Sequence, residues 1–120
     1  MKKVLVIVPF PMIEENRELR RAQLDAVQLG PEIIFEFRSV RAAPKNYVSA
    51  SDMAFAEIGV LEAGLKAEEQ GFDAVCIDTV SDSGLAALRS ELSIPVIGPG
   101  KTSILMVMML GKRFSILAMW

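Results

Sequence analysis

The stretch of residues 71–85 most constrains the fold, because a short apolar run there leads into a polar loop and then a helical pattern. Residues 74–78 follow Gly71 and predict a buried strand. Residues 79–83 are mostly polar, and leucines then recur at helical spacing. A strand that passes through such a loop into a helix is the unit of open α/β folds, in which ligands bind at this edge of the sheet.

The same alternation runs through the whole chain. Strands are predicted at residues 4–8, 33–40, 74–78, 95–97 and 114–119. Helices are predicted at residues 14–28, from Ser49 to the stop at Gly71, at 83–92 and at 102–110. This order predicts a doubly wound α/β fold: a mostly parallel sheet of four to five strands in a flavodoxin-like order, with helices on both faces. Partial alternation in residues 33–40 predicts an edge strand.

Apolar spacing also predicts which face of the first two helices packs on the sheet. For the first helix, the predicted buried side chains are Leu19, Ala22, Ala26 and Leu29. For the second, they are Ala54, Ile58, Leu61 and Leu65. The second helix has Ser49 at its start and Asp52 three residues later, which predicts a capping box.

Composition narrows the class of protein. The chain has 120 residues, enough for one ordinary domain, and a net charge of −2 without a basic run, which argues against nucleic-acid binding. It has no histidine, the commonest metal ligand, and no metal site is predicted. A single cysteine fits a cytoplasmic protein. The apolar run at residues 104–110 is far shorter than the ~20 residues that span a bilayer, so no membrane partner is expected.

Polar side chains and glycines gather where the predicted strands end. Pro9 and Phe10 follow the first strand, and Asp78 and Thr79 end the third. The sites predicted to bind a substrate at this edge are Pro9, Phe10, Val80, Ser81, Asp82, Ser83, Thr102 and Ser103. Two of these groups precede or begin predicted helices, whose free N–H groups favour an anion, so a small carboxylate or cyclic amide is the expected ligand. Ordinary helix capping is the alternative for Ser81, Asp82 and Thr102.

Three further residues or motifs have competing interpretations. A carboxylate at the end of a buried strand must be paired or solvated, so Asp78 is either a base with a raised pKa or a hydrogen-bond partner of a neighbouring loop. Cys76 lies in mid-strand and is expected to be a packed, inert thiol. Residues 98–102 resemble the end of a phosphate-binding loop, but Pro95 stands where the first glycine should be, which argues against nucleotide binding.

Four segments together resemble the aspartate/glutamate racemase superfamily, and within it the hydantoin racemase group most. They are residues 68–75, 81–85, 94–98 and 110–117, with the sequences EEQGFDAV, SDSGL, IPVIG and LGKRFSIL. The resemblance implies two similar α/β halves with the active site between them, and neither metal nor organic cofactor. It also implies a cysteine at a strand end in each half, which moves a proton next to a carbonyl group.

Two departures from that pattern shape the expected function. The position of the family's cysteine falls on Thr79, whose hydroxyl is too weak an acid to be a base without activation. Residues 112–120 echo residues 2–10, either because any two buried strands look alike or because a second repeat begins there. We expect residues 1–111 to form one domain and residues 112–120 to be the first strand of a second half. Thr79 and Asp78 are the candidate catalytic residues of a cofactor-independent isomerase acting through an enolate-like intermediate.

Two alternatives to catalysis remain open at this point. One is a small-ligand-binding domain that kept the pocket and lost the chemistry. The other is a truncated domain whose exposed edge and apolar helix drive self-association, which makes a homo-oligomer the expected state.

Overall fold

A computed structural model describes residues 1–27 and 30–117. Its four strands are β1 (Lys2–Val8), β2 (Ile33–Ser39), β3 (Ala74–Ile77) and β4 (Val96–Ile97). Its four helices are α1 (Glu14–Asp25), α2 (Ala50–Gly64), α3 (Leu85–Glu91) and α4 (Pro99–Leu110). Strands and helices therefore alternate as predicted.

The strands form one parallel sheet in the order β2-β1-β3-β4. The predicted parallel α/β fold and the edge position of β2 are confirmed. Strand β1 lies between β2 and β3, and its residues Leu5, Val6, Ile7 and Val8 are all buried. Because all the strands run the same way, the loops that follow them open at one edge of the sheet, called here the carboxyl edge.

Both faces of the sheet are covered, as the doubly wound fold requires. On one face the side chains of Leu5, Ile7 and Ile77 pack with Val60 of α2 and Leu88 of α3. On the other face a smaller cluster centres on Val6, Val8 and Phe37, with Leu24 of α1 and Cys76 against it. The helices thus position the loops at the carboxyl edge from both sides.

The predicted buried face of α2 is wrong at Ala54, Ile58 and Leu65, which are exposed, while Leu61 is partly buried against the core. Helix α2 buries its small side chains, whereas Ile58 is 63% exposed. The buried residues of the helix are Ala56, Val60, Ala63 and Gly64. A Cβ at Gly64 would lie 2.7 Å from Cδ1 of Ile7, so the absence of a side chain there lets the helix lie close to the sheet. The helix has apolar side chains on several sides. The face that is buried is therefore the one whose small residues let the helix approach the sheet closely, and not the most hydrophobic one.

The predicted buried face of α1 is also wrong. Leu19 is 62% exposed, and Ala22 and Ala26 are exposed as well, while Leu29 lies outside the described residues. The partly buried side chains of the helix are those of Arg17, Arg20 and Leu24. Arg20 turns toward the sheet because an acidic partner, Asp78, lies at the end of β3.

The end of the chain differs from the prediction in two ways. Helix α4 begins at Pro99, with Gly98 as its N-cap, and not at Thr102. Residues 114–117 are not in a strand, and residues 118 and 119 of the predicted fifth strand lie outside the described residues. Most apolar side chains of α4 are exposed, Met109 and Leu110 most of all. No helix in the described ranges is long and apolar enough to cross a membrane.

The opposite edge of the sheet is tied by Asp73, which immediately precedes β3. Its carboxylate accepts a hydrogen bond from Nζ of Lys2 at 2.6 Å and one from the backbone N–H of Lys3 at 2.8 Å. These contacts, with that of Lys2 the larger, lower the pKa of Asp73. The ionised form is therefore favoured by folding, which makes its stabilisation dependent on pH.

We predict that Asp73→Asn lowers the free energy of unfolding near neutral pH and has a smaller effect in acid. Because the pKa is lowered by folding, the stabilisation is complete above the unfolded value of about 3.9 and is lost as the pH falls through the folded value. Urea denaturation at neutral pH and at about pH 3 measures the difference. Glu91→Gln, at the end of α3, is the control. An equal loss at both pH values would contradict the ion-pair interpretation.

Candidate active site at the carboxyl edge

A cavity of about 160 Å³ opens at the carboxyl ends of β1 and β3. Pro9 and Phe10 form one wall, and residues 78–81 form another. Tyr47, from the loop after β2, and Met53 of α2 complete the lining. The structure thus brings together the two strand-end loops that the sequence pointed to, and we call this space the edge cavity.

Three hydroxyl groups form a row along the loop after β3. The Oγ1 atom of Thr79 lies 3.0 Å from Oγ of Ser81, which lies 2.8 Å from Oγ of Ser83. Ser83 is only 3% exposed, while Thr79 and Ser81 line the edge cavity. A hydroxyl can donate or accept, so this hydroxyl row can meet either a carbonyl oxygen or an amide N–H of a ligand.

Asp82 turns away from the hydroxyl row and binds the start of α4. Its two carboxylate oxygens accept hydrogen bonds from the backbone N–H groups of Gly100 and Lys101, each at 2.8 Å. The backbone of Asp82 is left-handed, with φ of 52°. Asp82 is not an ordinary N-cap, since Gly84 is the N-cap of α3 and Gly98 that of α4; instead it binds the N-terminus of α4 from a distant position.

The predicted helix starts around the two loops need correction. Helix α3 begins at Leu85 rather than at Ser83, and its N-cap, Gly84, offers no side chain. Thr102 is not the N-cap of α4, because its N–H already donates to the carbonyl oxygen of Gly98 at 3.1 Å. Ser103 Oγ donates to the carbonyl oxygen of Gly100. Neither Thr102 nor Ser103 lines the edge cavity, and their role in binding a substrate stays a prediction.

Asp78 is paired with an arginine that sequence reasoning missed. A guanidinium nitrogen of Arg20 donates to Oδ2 of Asp78, and both side chains are about one-third exposed or less. The same guanidinium lies 5.2 Å from the centroid of the Phe10 ring. Asp78 is therefore a hydrogen-bond partner, as one of its two interpretations had it, but its partner lies on helix α1 and not on a neighbouring loop. No local pattern reveals this pair, because α1 and β3 are far apart in the chain.

Tyr47 is the second residue that sequence reasoning missed. Its hydroxyl donates to the carbonyl oxygen of Pro9, which joins the loop after β2 to the loop after β1. Burial raises the pKa of Tyr47, so the phenol stays protonated. A usable signal existed: Tyr47 is the one tyrosine of the chain, and it lies in a loop that follows a predicted strand.

Cys76 occupies the position expected of a packed thiol. It lies against Val6, Val8 and Phe37 on the α1 side of the sheet. Burial raises the pKa of the Cys76 thiol, and the negative charges of Asp78 and Asp82 raise it further. A thiol held protonated in this way is a poor base and a poor nucleophile.

The chain is similar to known proteins over nearly its whole length. The profile of the Asp/Glu/Hydantoin racemase family matches residues 17–119. A hydantoin racemase of Pseudomonas sp. (strain NS671) is 31% identical over 114 residues, which cover 95% of this chain and 45% of that protein. The structure of an allantoin racemase from Klebsiella pneumoniae superposes with a TM-score of 0.77 and 30% identity, over 91% of this chain and 44% of the other. This chain therefore spans less than half the length of these two relatives.

We predict that Asp82→Ala lowers the free energy of unfolding by about 1–2 kcal/mol, the usual cost of removing a helix-capping side chain. Asp82→Asn should fall between Asp82→Ala and the wild type, because the amide oxygen still accepts from one N–H while its NH₂ cannot. Urea denaturation followed by circular dichroism measures both, with Glu91→Ala as a surface control. Unchanged stability of Asp82→Ala would show that the contact with α4 contributes nothing.

Proposed function

This chain belongs to the Asp/Glu/Hydantoin racemase family, and we propose that it forms one half of a cofactor-independent, isomerase-type active site for a small carboxylate or cyclic amide. Membership confirms the resemblance predicted from the sequence, and the 30–31% identity to hydantoin and allantoin racemases supports that substrate class. The observation that carries the proposal is the edge cavity, in which the loops after β1 and β3 meet beside the hydroxyl row.

The size of the edge cavity supports a half-site. Its volume of about 160 Å³ is below the ~300 Å³ at which complete small-molecule pockets begin. A second half, such as the part of the relatives that this chain does not span, would supply the missing wall of the cavity. Residues 112–120, as the first strand of such a second half, stay a prediction, as do a cytoplasmic location and a homo-oligomeric state. The exposed apolar side chains of α4 support self-association.

In the proposed reaction this half binds and orients the substrate. A base of the second half takes the proton from a C–H bond next to a carbonyl group, and the electron pair of that bond moves onto the carbonyl oxygen. The pair then returns to the carbon as an acid on the opposite face gives it a proton. The hydroxyl row donates one hydrogen bond to the oxygen on which negative charge develops: Ser83 donates to Ser81, Ser81 donates to Thr79, and Thr79 donates to the substrate. No base among the described residues is free beside Thr79, since Asp78 pairs with Arg20 and Asp82 binds α4. The proposal therefore assigns proton removal to the part of the relatives that this chain does not span.

A non-catalytic ligand-binding domain is the second candidate. It is favoured by Thr79, if that residue stands where the resemblance puts the family's cysteine, and by the raised pKa of Cys76, the one thiol of the chain. Such a domain would be stabilised by a hydantoin or a small carboxylate without exchanging its proton.

We predict that Thr79→Cys raises the rate of proton exchange at carbon 5 of a substituted hydantoin in deuterated water by at least about tenfold. A thiol with a pKa near 8.5 provides some thiolate at mildly alkaline pH, whereas a threonine hydroxyl provides almost no alkoxide. Proton NMR follows loss of the C5–H signal, with Thr102→Cys as the matched control. Equal rates for the two variants would contradict the assignment of position 79.

Thermal denaturation with and without the hydantoin separates the two candidates. Stabilisation of the wild type together with faster exchange by Thr79→Cys supports the half-site. Stabilisation without any exchange in the variant supports the ligand-binding domain.

A further inference from the structure

We propose that the Arg20–Asp78 ion pair makes the edge cavity selective for an uncharged ligand, a cyclic amide rather than a free amino acid or another charged molecule. This inference rests on the proposed function and narrows its substrate class. Arg20 acts in it as a positioning residue, since it contacts Asp78 and Phe10 but does not itself line the cavity.

The wall of the edge cavity contains a single charged side chain among the described residues, that of Asp78. An unpaired carboxylate there would attract the ammonium group of an amino acid, and the attraction would be strong because the site is partly withdrawn from water. The guanidinium of Arg20 compensates that charge, so the wall offers no net charge to a ligand.

Arg20 differs in its pairing from the two other arginines of α1. Arg17 pairs with Glu14, and Arg21 pairs with Glu18, both within the helix. Arg20 instead reaches across to the sheet, where its planar group also lies over the ring of Phe10. It therefore holds two walls of the cavity, the end of β3 and the loop after β1, and a lysine could not reproduce both contacts.

The edge cavity offers a ligand hydroxyl groups in place of an unpaired charge. The carboxylate of Asp82 is taken by the backbone of α4, and the guanidinium of Arg20 is taken by Asp78. The Thr79 and Ser81 hydroxyls bond to each other and can still offer one O–H proton and free oxygen lone pairs, which suit the C=O and the N–H of a ring amide. A free carboxylate would find no unpaired cation in this wall, and an ammonium group would find no unpaired carboxylate.

The test uses three probes that share one side chain and differ in charge. They are 5-methylhydantoin, which is uncharged at neutral pH, N-carbamoylalanine, an anion, and alaninamide, a cation. Isothermal titration calorimetry gives the dissociation constant of each probe for the wild type and for Arg20→Gln, Arg20→Lys, Asp78→Asn and the double variant Arg20→Gln/Asp78→Asn. Arg21→Gln is the matched control, because it breaks an ion pair on the same helix away from the cavity.

The wild type should prefer 5-methylhydantoin. Arg20→Gln leaves Asp78 unpaired and should shift the ratio of affinities toward alaninamide by roughly tenfold. Asp78→Asn leaves Arg20 unpaired and should shift the ratio toward N-carbamoylalanine. The double variant should restore the wild-type ranking, Arg20→Lys should keep the ranking while it weakens hydantoin binding, and Arg21→Gln should match the wild type.

Two outcomes overturn the inference and can be told apart. Should the wild type bind none of the three probes, the proposed function fails, and the inference fails with it. Should the wild type bind 5-methylhydantoin while Arg20→Gln and Asp78→Asn weaken all probes equally, the ion pair only supports the fold, and the proposed function survives without the charge selection. Each single variant is expected to shift the ratio of affinities in its own direction, so either one still tests the inference if the other is too unstable to titrate.

Discussion

The rest of the structure depends on the parallel pairing of β1 with both β2 and β3. This strand contributes four consecutive buried side chains, so it must be covered by helices on both faces. Parallel pairing also places the ends of β1 and β3 side by side, and the edge cavity lies where their loops meet. The position of the candidate site is thus a consequence of burying one strand, and its chemistry is added by the loops.

Strand order could be predicted because each strand has a local pattern. The continuous apolar run of residues 4–8 and the partial alternation of residues 33–40 distinguish a central strand from an edge strand. The helix faces could not be predicted in the same way. Helix α2 has apolar side chains on all sides, and its packing depends on Gly64 lying against Ile7, which is a contact between distant parts of the chain. Helix α1 turns Arg20 toward the sheet because the carboxylate of Asp78 lies at the end of β3.

The candidate site, too, has features that the sequence predicts and features that only the fold reveals. The loops with Pro9, Phe10 and residues 78–81 follow from the rule that ligands bind at the carboxyl ends of parallel strands. The partners of these loops do not follow from any spacing, since Arg20 and Tyr47 reach them from other elements. Asp82 has the residue type of a helix cap, which the sequence recognises, but only the fold decides that it binds the N-terminus of α4 and leaves α3 without a side-chain cap.

The close approach of α4 to the loop after β3 has a mechanical consequence. A Cβ atom at Gly100 would lie 1.9 Å from the carbonyl oxygen of Val80, and one at Gly98 would lie 2.6 Å from the side chain of Asp82. Neither glycine leaves room for a side chain, and the N–H groups of Gly100 and Lys101 donate to Asp82, which holds the loop and the helix together. Gly98 and Gly100 are thus positions at which any larger residue would force the loop that carries Thr79 away from the first turn of α4, so the spacing of these two segments is set by the absence of two side chains.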